Sequence, residues 1–129
     1  MRSHPLKLFF DGGCRPNPGV METAVVAKGA THHRADLGHG TNNDAEWLAL
    51  LHAMARAVEL SATDIVLVGD SALVLNQAKG LWPCRSESLR VHLEAFRLLA
   101  PSFASLRFRQ IGRAQNLAGI ALERVHGRL

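Results

Sequence analysis

Only two cysteines occur in 129 residues, Cys14 and Cys84, and neither belongs to a Cys-x-x-Cys or to a Cys/His pair at zinc spacing. A disulfide scaffold and a thiolate zinc site are thereby excluded, and both read as free thiols of a reducing compartment. Long apolar runs are missing too. No stretch approaches the roughly 20 apolar residues of a membrane span. The opening MRSHPLKLFF is too short in its apolar part for a secretory signal. A cytoplasmic protein without a membrane partner is expected. There are no repeats, linkers or low-complexity tracts, so residues 1–129 are read as one domain, expected as a monomer. Acidic side chains are the scarcer charge, 11 against 15 Lys plus Arg, with a pI near 9.8. That imbalance favours a polyanionic partner, nucleic acid foremost.

What remains is ordinary globular material, 47% apolar and 20% charged. A chain of this length buries roughly two thirds of the surface its unfolded form exposes. Its organising stretch is LKLFFDGGCRPNPG, residues 6–19. Leu6, Leu8, Phe9 and Phe10 read as a buried strand that Asp11, Gly12 and Gly13 stop. Asp11 is then either the cap of a turn or a carboxylate held at fixed depth, beside glycines that let a large ligand approach the backbone.

Residues 20–28 and 30–37 flank Gly29 as a hairpin of two further strands. His32 and His33 near its tip have no ligand at chelating spacing and read as solvated. From Asn43 to Ser61 the pattern is helical, with Trp47, Leu50, Leu51, Met54, Ala55 and Val58 recurring at three- and four-residue steps behind capping residues in TNND. Glu46 lies in its first turn, where the macrodipole alone would favour an anion. DIVLVG, 64–69, reads as a central strand covered on both faces. Asp70 follows it, as N-cap of a helix over 72–79 or as a second strand-end carboxylate. Ser86 opens an amphipathic helix carrying Leu89, Leu93, Phe96 and Leu99 or Ala100 on one side, and Pro101 ends it. Leu106, Phe108 and Gln110 alternate with Arg107, Arg109 and Ile111 in a last strand. The final helix starts near Asn116 and runs through Ala118, Ala121, Leu122 and Val125.

Helices placed between strands give an α/β fold, a mixed five-stranded sheet with helices on both faces, in which the first and fourth strands are parallel neighbours. Asp11 and Asp70 then end adjacent strands about 5 Å apart, and Glu46 reaches the same point from its helix. Three converging carboxylates repel one another unless a cation is present. Oxygen-only ligands suit Mg²⁺ or Mn²⁺, and such sites serve phosphoryl transfer.

DGGCRPNPG, TNNDAEW and GDSALVLNQ, in that order and spacing, resemble the three main motifs of type 1 ribonuclease H, and the likeness continues through GLWPCRSESL and RQIGRAQN. The resemblance implies a ribonuclease H-like fold and a two-metal endonuclease cutting the RNA strand of an RNA/DNA hybrid, with Asp11, Glu46 and Asp70 as metal ligands. It also implies a minor-groove surface made by Gly12, Gly13, Asn17, Asn42, Asn43 and Gln77. Arg113 stands where many members carry a His that assists product release. Arg85, Arg90, Arg107, Arg109 and Arg113 would share phosphate contacts, while Trp47 and Trp82 read as core or half-core.

One departure bears on activity. The family's last helix reads Asn-x-x-Ala-Asp, and here Ile120 stands at the place of that Asp, so one of the two metal positions is weakened. Glu123, one turn further on, is the alternative fourth ligand, and Glu22 a more remote one. Ile120 is expected to face the metal site, because Ala118, Ala121, Leu122 and Val125 form an apolar stripe without it; in the other placement Ile120 is core and Glu123 faces the metals. The competing function is a hybrid-binding or nucleic-acid-binding module without turnover; a nuclease for structured RNA ranks third.

Overall fold

The computed structural model describes residues 4–128. Strand β1 (Leu6–Cys14) forms an antiparallel pair with β2 (Gly19–Ala27), which pairs in turn with β3 (Ala30–Arg34). A two-residue strand β4 (His39–Gly40), not anticipated from the sequence, adds to the start of β2 and makes the sheet six-stranded. Helix α1 (Asn42–Glu59) leads to β5 (Asp64–Gly69), helix α2 (Ala72–Ala78), helix α3 (Glu87–Leu99), β6 (Ser105–Gln110) and helix α4 (Leu117–Val125). The main path is β3-β2-β1-β5-β6, parallel at β1/β5 and β5/β6, so the expected mixed sheet and its central β1/β5 pair are present.

Alternation along β1 sets which face each side chain serves. Leu8 and Phe10 point into the larger core, under Trp47, Leu50 and Met54 of α1, while Phe9 packs on the other face against Ala118 and Leu122 of α4. Helices therefore cover both faces. Buried α3 residues Leu89, Leu93 and Phe96 close the α1 side as their spacing predicted. Both predicted stripes hold except at their last residues, since Val58 and Val125 are exposed, and the buried side of α1 includes Ala49, Ala53 and Ala57 as well as Trp47, Leu50 and Met54. Trp47 is fully buried, whereas Trp82 is about half exposed.

The first strand does not stop at Asp11. It continues through Gly12 and Gly13 to Cys14, in register with Met21 to Ala24 of β2. Gly12 serves packing there, because a Cβ would lie 2.1 Å from the Ala45 carbonyl oxygen, so only glycine lets the first turn of α1 lie this close. Helix starts follow side-chain capping: Thr41 and Asp44 form a capping box for α1, and Ser71, not Asp70, caps α2 by accepting from the Val74 N–H.

Candidate metal centre and cleft

Two residues beyond the last β1/β5 pair, Phe9 with Val68, lie Asp11 and Asp70. Glu46 comes over from α1, and its Oε1 accepts from the Gly12 N–H at 2.9 Å. One oxygen from each of the three carboxylates lies within 4.8 Å of the others. Asp70 is held by Asn116, whose Nδ2 donates to Asp70 Oδ2 at 3.0 Å and to the Phe10 carbonyl at 3.0 Å, while its Oδ1 caps α4 through the Ala118 N–H. The sequence marked Asn116 as a cap only. Its bridging role spans 46 and 106 residues of chain, a reach that no local spacing carries.

Burial pushes the carboxyl groups of Glu46 and Asp11 above their ordinary values, Glu46 far above, and the charge of Asp70 pushes both the same way. The Gly12 N–H pulls against this at both residues, as does Arg113 at Asp11. With both carboxylates ionised, the buried Glu46 Oε2 has no hydrogen-bond donor. It is satisfied by a proton shared with Asp11, which sits on the deeper Glu46, or by a cation. A buried carboxylate oxygen lacking a donor, aimed into a cluster of oxygen ligands, fits a hard divalent ion.

A cleft of about 490 Å³ opens over the cluster, and Gly12, Gly13, Asn17, Asn42 and Arg113 all line it. Asn17 Oδ1 accepts from the Asn42 N–H at the start of α1, and Asn42 Oδ1 accepts from the Cys14 N–H. Two residues expected there are elsewhere. Asn43 is exposed and outside the cleft wall. Gln77 is buried, accepting from Trp47 Nε1 at 2.9 Å and donating to the Pro83 carbonyl, so its amide is committed to the core and is withdrawn from a groove-facing role.

Neither alternative fourth carboxylate joins the cluster. Glu123 stands at the cleft rim and is paired with Arg15 at 3.3 Å and Arg128 at 2.7 Å; Arg128 foremost holds its carboxyl below the ordinary range. Glu22 is half-buried rather than exposed, with one oxygen bonded to His33 and the other to His126, so His33 is not simply solvated. Ile120 is half-buried in a cleft wall that also contains Asp11 and Arg113, and lies outside the apolar cluster beneath α4. Cys14 and Cys84 are free thiols. None of the described helices is long and apolar enough to cross a membrane.

Residues 11–123 match the family model described as reverse transcriptase-like. The fold superposes on the crystal structure of RNase H1 from the archaeon Halobacterium salinarum with a TM-score of 0.87 at 32% identity, covering 95% of this chain and 98% of that one. The chain belongs to the ribonuclease HI-like family. The Ribonuclease HI of Halobacterium salinarum is 33% identical over 123 residues, 88% of this chain and 60% of that protein. The bifunctional protein Rv2228c of Mycobacterium tuberculosis is 33% identical over 113 residues, and this ribonuclease HI-like chain spans 31% of its length. LC11-RNase H1, solved in complex with an RNA/DNA hybrid, shares 28% identity and a TM-score of 0.80, covering 91% of this chain and 92% of that one.

Proposed function

We propose that this chain is a divalent-metal-dependent endonuclease that hydrolyses the RNA strand of RNA/DNA hybrids, residues 1–129 acting as one domain. The observation that carries this reading is the unpartnered Glu46 Oε2, buried beside Asp11 and Asp70 at the floor of a cleft edged by glycines and asparagines. Asp11, Glu46 and Asp70 would hold Mg²⁺ or Mn²⁺, which when bound lowers the pKa of a coordinated water and stabilises charge on the reacting phosphate. The chain's own residues do the rest. Asn116 fixes Asp70 by donating to its Oδ2, and the Gly12 N–H fixes Glu46 through Oε1. Asn17 and Asn42 use their oxygens inside the protein, which leaves their amide N–H groups to meet acceptors of a minor groove. Sugar hydroxyls and base edges in that groove distinguish RNA from DNA. Likeness to the hybrid-bound LC11-RNase H1 supports the choice of substrate.

The second reading, a hybrid-binding module without turnover, draws on the apolar Ile120 in the wall beside Asp11. A short labelled hybrid incubated with Mg²⁺ or Mn²⁺ separates the two. Cleavage of the RNA strand by the wild-type chain and none by Asp70→Asn is the expected result. A hybrid bound but left intact under both metals would establish the second reading, and cleavage that survives Asp70→Asn would refute the assigned site.

A further inference from the structure

Asp11 faces two cavities. One is the cleft it shares with Glu46 and Asp70; the other, about 730 Å³, contains neither of them and is walled by Arg15, Arg113, Gly119, Ile120 and Glu123. The only other carboxylate in that second wall, Glu123, is bonded to Arg15 and Arg128. Apart from Asp11, Arg15 and Arg113 against Glu123 leave this wall with a net charge of +1; the same side chains edge the shared cleft, but its floor holds the three clustered carboxylates. The backbone of α4 also comes close, since a Cβ on Gly119 would lie 3.2 Å from Asp11 Oδ2.

A hard divalent ion takes about six oxygen ligands and dehydrates only for a good set of them. On the Ile120 side it would find Asp11, a Glu123 already paired with Arg15 and Arg128, an aliphatic side chain and guanidinium charge. On the Glu46 side it finds three carboxylates, one with a buried oxygen that has no donor.

We propose, resting on the metal-dependent reading above, that this site holds one divalent cation rather than two, and that Arg113 supplies the positive charge on the α4 side of Asp11. Arg113 is then a positioning residue for the phosphate and balances the charge of Asp11. It repels the bound ion a little while attracting the substrate. The loss of a fourth carboxylate at Ile120 and the cationic wall around it form one arrangement, because a second ion and a nearby guanidinium would compete for the same side of Asp11.

The test counts Mn²⁺ per chain from the paramagnetic resonance signal of the unbound ion. Samples are the protein alone and the protein with a hybrid whose RNA carries phosphorothioate linkages that slow cleavage. One ion per chain in both samples is expected for the wild type. Two with the hybrid would overturn the inference and leave the nuclease reading standing. None would overturn the metal reading itself, and a hybrid that fails to bind would overturn the hybrid-nuclease reading on which the inference rests. Arg113→Ala should bind Mn²⁺ about two- to fivefold more tightly, because a repelling charge is gone, while its turnover on hybrid falls about tenfold; Arg113→Lys should restore most of both. Mn²⁺ affinity unchanged or weaker in Arg113→Ala would refute the charge-balancing role. Ile120→Asp should take up a second ion with hybrid bound and gain turnover of about tenfold. A stably folded Ile120→Asp that still counts one ion would overturn the explanation.

Discussion

At the scale of single residues, Glu46 and His52 are both held uncharged by burial on the same helix, and they pull stability in opposite directions with pH. Glu46, ordinarily titrating near 4.5, is raised far above it, so folding takes up a proton. Its contribution is complete below about pH 4.5 and is lost as pH rises through the folded value. His52 lies against Thr23 Oγ1 at 2.8 Å and is lowered from 6.5 to about 4, by burial first and then by Arg34. Its contribution is complete above pH 6.5 and is lost as pH falls toward 4. In EDTA the wild-type melting temperature should therefore peak at intermediate pH. Glu46→Gln should remove the decline on the alkaline side, and His52→Gln the decline on the acid side. A Glu46→Gln protein that melts lower at pH 8 in EDTA would mean that Glu46 is a structural acceptor for Gly12 and not a strained ligand. The sequence exposed half of this pair. Glu46 was visible because it follows a capping motif, but its burial was not. His52 gave no signal, since its partner Thr23 is 29 residues away.

At the scale of elements, α4 is fixed by Asn116. That residue is fully buried and joins three elements: it caps α4, donates its amide N–H to the Phe10 carbonyl, and orients Asp70 at the end of β5. Asn116→Ala loses a cap and leaves a buried carbonyl unpaired, a cost of about 2 to 4 kcal/mol. Asn116→Asp keeps the cap acceptor but loses both donors and sets a fourth charge beside Asp70. Both variants should melt lower than wild type. The two differ in Mn²⁺: saturating ion should recover more of the lost melting temperature in Asn116→Asp, where it screens the added charge. Equal recovery in both would show that Asn116 acts on the fold alone. Element order was legible here because apolar periodicity and capping residues are local properties. What the sequence concealed was set by neighbours far along the chain. Gly12 and Gly13 read as a stop, yet β1 runs through them because the backbone of α1 lies on Gly12. Gln77 read as a groove residue, yet Trp47 and Pro83 hold it in the core.

At the scale of the whole molecule, a chain of net charge +4 carries a cluster of three carboxylates at the floor of the cleft proposed to receive a polyanion. Two kinds of contact must then divide the work. On the proposed reading, arginines such as Arg109 and the Asp64-paired Arg107, exposed along β6, would draw any nucleic acid through its phosphates, giving affinity that falls with salt and carries little preference between duplexes. Preference has to come from neutral groups, and Asn17 and Asn42 are the ones whose oxygens are tied down inside the protein, so that their amides are set as donors. Wild type should bind RNA/DNA hybrid more tightly than duplex DNA, with the affinity for both falling steeply with salt. Asn17→Ala and Asn42→Ala should lower the affinity for hybrid alone, by roughly 1 to 2 kcal/mol each with the salt slope unchanged, because a hydrogen-bond donor and not a charge is removed. Arg107→Ala should weaken both duplexes alike and reduce the salt slope by about 1. Binding curves for the two duplexes at several salt concentrations, with melting temperatures to confirm folding, separate these effects. If the asparagine variants weaken hybrid and DNA equally, the cleft does not read the sugar, and the specificity must arise from the metal centre or from the shape of the duplex.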